Sequence, residues 1–343
     1  MPHPDVQIPA RQRRKNTCLH YSRRKEKNQP MIEKQSTAHW TYEEWQIWRK
    51  KVTTIGGSDA SVILGLNPWK SPMALWLEKT GKVEPEDISG KESVRLGNDL
   101  EEYVAKRFTE ATGKKVRRER CIIRNTDYPF GHANLDRVIV GEPDAALECK
   151  TTSNIDIIRL CRDGEIPPTY YCQCVHYMMV CKFKRMYLAV LAFGSGFYHF
   201  VIERDEGEIK ALARAEDVFY SNVIGQTPPP VDGTDSTRDA IAKLYGKSTH
   251  GSVDITSCMG SLASYAAIKQ QIGQLTHQLQ EAQAIIEMHM GEAERGSCSG
   301  YSVSWKTQER STFDRTRWEA DHGKIPEEYF KTSTIRPFKV TVK

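Results

Sequence analysis

Apolar residues recur along this chain with changing period, and each period implies an element. Tyr42–Lys51 places Trp45 and Trp48 on one side of a short helix. The stretch IGGSDASVILG (55–65) reads as a Gly-rich turn feeding an apolar helical run that Asn67, Pro68 and Trp69 end. Ser71 and Pro72 open another helix as N-cap and first residue, continuing to about Thr80 with Gly81 closing it. Over 91–112, Leu96, Leu100, Val104, Phe108 and Ala111 form the apolar stripe of a long amphipathic helix. At 100° per residue, Glu101 lies beside that stripe, whereas Glu102 lies nearly opposite and should be solvated. Runs near 116–123, 131–140 and 145–151 read as strands. Residues 168–182 are apolar almost all round, as in a buried helix. Only Gln173 and His176 interrupt it, and a buried glutamine needs partners. Strands near 185–193 and 197–204 and a helix to Ile224 follow. The order describes an α/β core.

The run of three prolines at 228–230, with VDGTDST after it, breaks this pattern. The expected organisation is a basic disordered arm over 1–38, a catalytic domain over 39–227 and a C-terminal appendage over 228–343. In the appendage, Tyr265, Ile268, Ile272, Leu275, Leu279, Ala282 and Ile286 alternate spacings of three and four, an a/d seam over three heptads. A helical hairpin or a helix docked on the core accounts for it, and Tyr301–Thr307 looks like a short strand. No chemistry is evident there, so the appendage reads as structural or assembly material.

Length and composition narrow the classes. At 343 residues the chain can bury a sizeable core. No apolar run approaches the roughly 18 residues of a membrane span, and the start lacks the apolar segment of a secretory signal. Nine cysteines, an odd number without paired metal spacing, read as reduced thiols of a cytoplasmic protein. The net charge is +5, but residues 1–30 carry eight Lys and Arg against Asp5 and Glu26, leaving −1 for the rest. That arm could add nonspecific affinity for phosphates, or be an extension upstream of an alternative start at Met31.

The chemistry concentrates in HANLDRVIVGEPDAALECKTT (132–152). Strand residues alternate faces, so Glu148 and Lys150 share one side and Cys149 points to the other. A turn at Gly141–Pro143 brings Asp136 alongside. Two carboxylates suit a hard divalent cation, and a neighbouring lysine can orient or help deprotonate water, which is equipment for hydrolysing a phosphodiester. Alone, acid-x-Lys on a strand is common and usually a solvated ion pair.

Four ordered stretches change that weighting: IGGSDASVILGLNPWKSP, RLGNDLEEYVAKRF, ANLDRVIVGEPDAALECKTT and PTYYCQCVHYMMVC. Together they resemble the YqaJ-type viral recombinase nucleases, relatives of phage lambda exonuclease with a PD-(D/E)XK fold. The likeness runs over about residues 40–343 and takes in the heptad helix, WKTQERSTFD and TIRPFKV. It implies an α/β restriction-endonuclease-like core, a mixed central sheet flanked by helices, with a C-terminal helical appendage. It also implies an exonuclease degrading one strand of duplex DNA from an end, 5′ to 3′, with Mg2+ or Mn2+ in its place. A phage or prophage origin, a single-strand annealing partner and a homotrimeric ring come with the resemblance.

Residue by residue, Asp136 and Glu148 match the metal-binding acids, with the backbone carbonyl of Cys149 as a further ligand. Lys150 matches the residue positioning the attacking water, Glu101 the helix acid approaching the metal, and Gln173 the glutamine of the following helix. Ser58 matches a 5′-phosphate contact, with Arg49 and Lys51 just upstream as companions. Plain structural roles stand beside these: a surface salt bridge for Glu101, a core amide for Gln173, an N-cap for Ser58, and packing for His176 and Trp69. One departure is the replacement of Pro-Asp-Gly by Leu135, Asp136 and Arg137, with Arg137 expected on the face opposite Asp136. Competing functions are an endonuclease of the same fold and an inactive DNA-end-binding or assembly protein. A CRISPR-adaptation-like exonuclease would show four clustered cysteines, which are missing.

Overall fold

The computed structural model describes residues 31–332 and 336–341, so most of the basic arm lies outside the described residues. These residues separate into two compact units, one ending at Ala240 and one beginning at Ile241. The first unit starts with β1 (Ile32–Ser36), α1 (Tyr42–Lys51), α2 (Gly57–Ile63), α3 (Pro72–Lys79) and α4 (Glu92–Thr112). Next come β2 (Val116–Arg118), β3 (Cys121–Asn125), β4 (His132–Ala133), β5 (Arg137–Ile139) and β6 (Ala145–Thr152). It continues with α5 (Ile155–Arg162), α6 (Pro168–Cys181), β7 (Arg185–Ala192), β8 (Gly196–Glu203) and α7 (Glu206–Ile224). The boundary between units falls inside α8 (Asp235–Leu244), beyond the proline run. Residues 32–36, at the end of the stretch read as a disordered arm, are the strand β1.

Local chemistry explains the helix limits. Thr41 and Glu44 form a reciprocal capping box at the start of α1. Ser71 caps α3 with Pro72 at its first position. Gly113, at φ 73°, supplies the left-handed residue that closes α4.

The central sheet is mixed, in the order β2-β5-β6-β7-β8. β5 runs antiparallel to β6, with Arg137 opposite Leu147 and Val138 opposite Ala146. β6 and β7 pair in parallel from Ala145 and Arg185 to Thr152 and Ala192. A parallel pair needs a crossover, and α5 with α6 provides it. Leu147, on β6, joins Val104, Phe108, Ile139, Tyr187 and Ala189 in a buried cluster under α4, with Cys149 against it. Glu148 and Lys150 therefore face the other side, toward α6.

β1, β3 and β4 form a second, antiparallel sheet. The apolar runs at 116–123 and 131–140 are thus not single strands. Each is broken, at 119–120 and 134–136, and each break carries the chain from one sheet to the other. The first break falls within the charged run at 117–120, and the second has Asn134 and Asp136 on either side of Leu135.

The second unit holds α9 (Met259–Met290), a hairpin of β9 (Arg295–Cys298) and β10 (Tyr301–Ser304), and α10 (Arg315–His322). α9 is one continuous helix of 32 residues with none buried. The seam thus lies on a single helix and not on a helical hairpin.

Candidate active site

The break at 134–136 presents the first acid. Leu135 is buried and anchors the bend, and Asp136 immediately precedes β5. The backbone ladder between β5 and β6 ends at Leu147. Asp136 Oδ2 then accepts the N–H of Cys149 at 2.8 Å, replacing a strand backbone that has turned away. This contact locks the Asp136 carboxylate beside Glu148. Burial, followed by the negative charges of Glu148 and Glu101, pushes Asp136 well above the ordinary carboxylate range.

Glu148 is buried on the α6 side of β6. Its Oε1 accepts from Gln173 Nε2 at 2.6 Å and pairs with Lys150 Nζ at 2.7 Å. Gln173 Nε2 also donates to Tyr177 Oη at 2.9 Å, one helical turn further. Burial disfavours the Lys150 ammonium, but Glu148 and Asp136 outweigh it and hold its pKa above the usual lysine value. Lys150 is therefore charged at neutral pH, and its Nζ lies 5.5 Å from the Tyr170 ring centre.

Glu101 stands close enough to act on Asp136 electrostatically, but its carboxylate is engaged by Arg137. The Arg137 side chain is 2% exposed. Its Nη1 donates to Glu101 and, at 2.7 Å, to the carbonyl of Asp136; Nη2 donates to Glu102 at 3.0 Å. Burial disfavours the guanidinium, and its bond to Glu101 outweighs that penalty, keeping it firmly charged. Glu102 is exposed, as expected, and from there holds Arg137 and also Arg118 at 3.1 Å. Arg137 is a fork tying α4 to the bend that carries Asp136.

The remaining expected contacts lie on α1, on α2 and on the turn that follows α2. Ser58 is the exposed second residue of α2 and does not cap it. Gly56 is the N-cap, and Asp59 reaches back to the Gly56 N–H at 3.0 Å. Arg49 and Lys51 lie on α1, but their side chains fall outside the described residues. Trp69 is 68% exposed rather than packed, on a turn fixed by Asn67 Oδ1 accepting from Trp69 and Lys70 N–H.

The atoms left over test whether the cluster suits a divalent cation. Glu148 Oε2 is buried with no hydrogen-bond partner, a costly state for a carboxylate oxygen that a cation would relieve. Asp136 and Glu148 supply the oxygen donors that Mg2+ favours. Among the described residues, however, no group of three or more His, Cys, Asp or Glu side chains forms a ready metal cluster. The physical reason is visible in the contacts: Glu101 is turned to Arg137, and Lys150 and Gln173 share one oxygen of Glu148. The two neighbouring acids fit a cation; a third ligand needs Glu101 to share its carboxylate.

Three supporting features, Tyr177, Gly57 and Glu216, had not been singled out. Tyr177 lies four residues after Gln173, on the same helix face, so helical spacing pointed to it. Gly57 lets α2 approach α6: an added Cβ would lie 2.6 Å from Tyr177 Cε1 and 3.0 Å from Gln173 Cγ. His176, wholly buried, donates from Nε2 to the His132 carbonyl at 2.9 Å and meets Glu216 through Nδ1 at 2.8 Å. Both ring nitrogens face acceptors, so the His176–Glu216 pair shares one extra proton. Glu216 lies on the α7 face against α6, and nothing in its own sequence context marks it.

A family model described as the YqaJ-like viral recombinase domain matches residues 44–184. The chain is 38% identical over 303 residues to the Bacillus subtilis (strain 168) protein YqaJ, an alignment covering 87% of this chain and 93% of that one. Among solved structures it is similar to the alkaline exonuclease LHK-Exo from Laribacter hongkongensis, at TM-score 0.44 and 16% identity, covering 59% of this chain and 99% of the other. A phage related exonuclease from Haemophilus somnus 129PT gives TM-score 0.38 and 14% identity, covering 50% and 96%.

Proposed function

Because this chain belongs to the YqaJ-like viral recombinase family, we propose that it is a metal-dependent nuclease with a PD-(D/E)XK core, degrading linear duplex DNA from its ends in recombination by strand annealing. The observation that carries this reading is Glu148: one oxygen is gripped by Gln173 and Lys150, and the other is buried beside Asp136 without a partner.

In this reading Asp136, Glu148 and the carbonyl of Cys149 hold Mg2+, or Mn2+ in its place, with Glu101 at the rim. When bound, the cation supplies Lewis-acid stabilisation of charge developing at the scissile phosphate. Lys150, charged and tethered to Glu148, orients the attacking water and adds positive charge beside the phosphate. Gln173 fixes the Glu148 rotamer through a charge-assisted hydrogen bond of roughly 1.5–3 kcal/mol, and Tyr177 fixes Gln173. Ser58, Arg49 and Lys51 are proposed as contacts for the 5′ phosphate, and travel from 5′ to 3′ is proposed from the family resemblance. The partners are duplex ends and a single-strand annealing protein.

The test uses linear duplex labelled at either strand end, with a circular duplex alongside, in Mg2+ and in chelator. Release of label from the 5′ end of linear DNA, dependent on metal and abolished in Glu148→Ala, is expected. Cutting of the circle would point instead to an endonuclease. Unchanged activity in Glu148→Ala would remove the site assignment altogether.

A further inference from the structure

Positive charge gathers at one place in the first unit. Residues 31–343 sum to −1, yet residues 114–120 hold five cations against Glu119, a local +4. They form β2, at one edge of the central sheet, and the break that follows it. The acids nearby are each shared. Glu119 meets Lys34 and Arg117, both at 2.8 Å, and Glu102 meets Arg118 and Arg137. Lys114 pairs with Glu142. Lys115 and Arg120 are exposed and form no ion pair among the described residues.

The strand register puts Arg120 next to the first acid of the site. Arg118 lies opposite Arg137, and Ile123 lies opposite Ala133. Between these two rungs the chain crosses the same gap twice, with four residues at 119–122 and three at 134–136. One extra residue on one strand is the count of a bulge, a device that re-aims side chains beside active sites. Neighbouring strands lie about 4.8 Å apart, so the Arg120 backbone passes within roughly one or two strand spacings of the bend that carries Asp136. Lys115 is farther off, since its carbonyl accepts the N–H of Val140 at 2.8 Å, beyond the other end of β5.

We propose that Arg120 binds a backbone phosphate of the DNA strand lying across Asp136 and Glu148, within the positive field of Arg117 and Arg118. This rests on the reading of the chain as a DNA nuclease and adds a substrate contact to it. A guanidinium fits a phosphate through paired N–H donors. Two plainer roles do not account for the residue. Cations blunt exposed strand edges, which suits Arg117 and Arg118 in β2. Arg120, however, lies where the edge is already covered: its carbonyl accepts the Thr37 N–H at 2.9 Å, and Cys121 pairs with Ser36 of β1. Nor does Arg120 neutralise the acidic cluster, because Arg137 and Lys150 hold Glu101 and Glu148. What remains is a free cation on a bulge beside a site that cuts a phosphodiester.

The test measures binding of the full chain to a fluorescent linear duplex by anisotropy, in chelator, over a series of salt concentrations. One phosphate contact adds about 0.9 to the slope of log affinity against log salt. Arg120→Gln should flatten the slope by about that amount, which over one decade of salt makes binding about eightfold weaker at the low end. Arg120→Lys keeps the charge and should keep the parent slope. Lys184→Gln removes an exposed cation beside Asp144, ahead of β6, and should leave the slope unchanged. In Mg2+, Arg120→Gln should raise KM and leave kcat at saturating DNA as in the parent. A parent slope retained in Arg120→Gln, an equal loss in Lys184→Gln, or a parent that does not bind duplex would each overturn the proposal. Cleavage by the parent with the slope unmoved in Arg120→Gln removes this contact and leaves the nuclease reading standing. Binding that depends on Arg120, with no nucleotide released in Mg2+, supports the contact and removes the nuclease reading.

Discussion

Replacing Arg137 by methionine tests whether this guanidinium organises the acidic cluster. Methionine fills much of the same volume, so the loss is mainly electrostatic. A guanidinium and a carboxylate about 4 Å apart attract by about 4 kcal/mol at an effective dielectric constant near 20. The Glu101 side chain is 30% exposed, and screening by that water halves the attraction to about 2 kcal/mol. Glu102, at 71% exposed, adds at most about 0.5 kcal/mol. The Asp136 carbonyl, accepting at 2.7 Å, loses about 1 kcal/mol when its donor goes. Relief from burying the guanidinium offsets part of the sum. The net cost is then about 2–3 kcal/mol, a fall of roughly 5–10 °C in melting temperature for a unit of this size.

The decisive assay is a double-mutant cycle with Glu101→Gln, by urea unfolding in chelator. The geometry calls for a coupling energy of about 1.5–2 kcal/mol between the two positions. Folded single variants that couple by less than about 0.5 kcal/mol would refute the Arg137–Glu101 fork. In saturating Mg2+ the coupling should shrink, because Glu101 then divides its carboxylate between Arg137 and the cation.

Three further outcomes follow from the same cluster. Asp136 is raised in the folded state above its unfolded value near about 3.9, so its contribution to stability is complete below that pH and lost as pH rises through the raised value. Metal-free protein should therefore melt lower as pH climbs above about 4, and Asp136→Asn should flatten that decline; a parent profile no steeper than the variant's contradicts the shift. Gly57→Ala should cost about 1–3 kcal/mol through overpacking, since its Cβ meets the Tyr177 ring at 2.6 Å, and Tyr177→Leu in the same chain should recover part of the loss in a thermal melt. Glu216→Ala should cost about 3–5 kcal/mol by stripping His176 of its buried partner, while Glu216→Gln, which keeps an acceptor, should cost less than half as much in urea unfolding.

Some of this site was readable in the chain because its signals are local. Alternation along 145–152 fixes Glu148 and Lys150 on one face whatever the sheet does. A glutamine in an otherwise apolar helix demands a partner, and the crossover from β6 delivers that helix onto the face of Glu148. The features that escaped depend on sheet exchange or on pairings distant in sequence. Strand breaks at 119–120 and 134–136 fall among polar residues, but nothing local says that the chain changes sheet there. For Arg137 the chain shows only a strand face, opposite Asp136, until Glu101 and Glu102, 36 and 35 residues earlier, are brought across it. Ser58 looked like a cap because serine caps helices well, yet a glycine N-cap with Asp59 three residues on does the same work two residues earlier.

The replacement of Pro-Asp-Gly by Leu135, Asp136 and Arg137 gains a physical meaning from these contacts. Glu101, Asp136 and Glu148 bring three acidic groups together, with Arg137 and Lys150 as the cations among them. Three ionised acids would leave a buried excess of negative charge, which a low-dielectric site resists. The raised affinity of Asp136 for a proton is the response of the metal-free cluster to that excess. A divalent cation answers the same demand, so proton and metal compete for Asp136. A glycine in place of Arg137 would leave Glu101 without its buried partner and deepen the deficit of positive charge. Arg137 thus lets Glu101 stand near Asp136 without repelling it out of place. Arg137 is therefore part of the site's electrostatic balance, and Leu135, buried beneath the bend, anchors it.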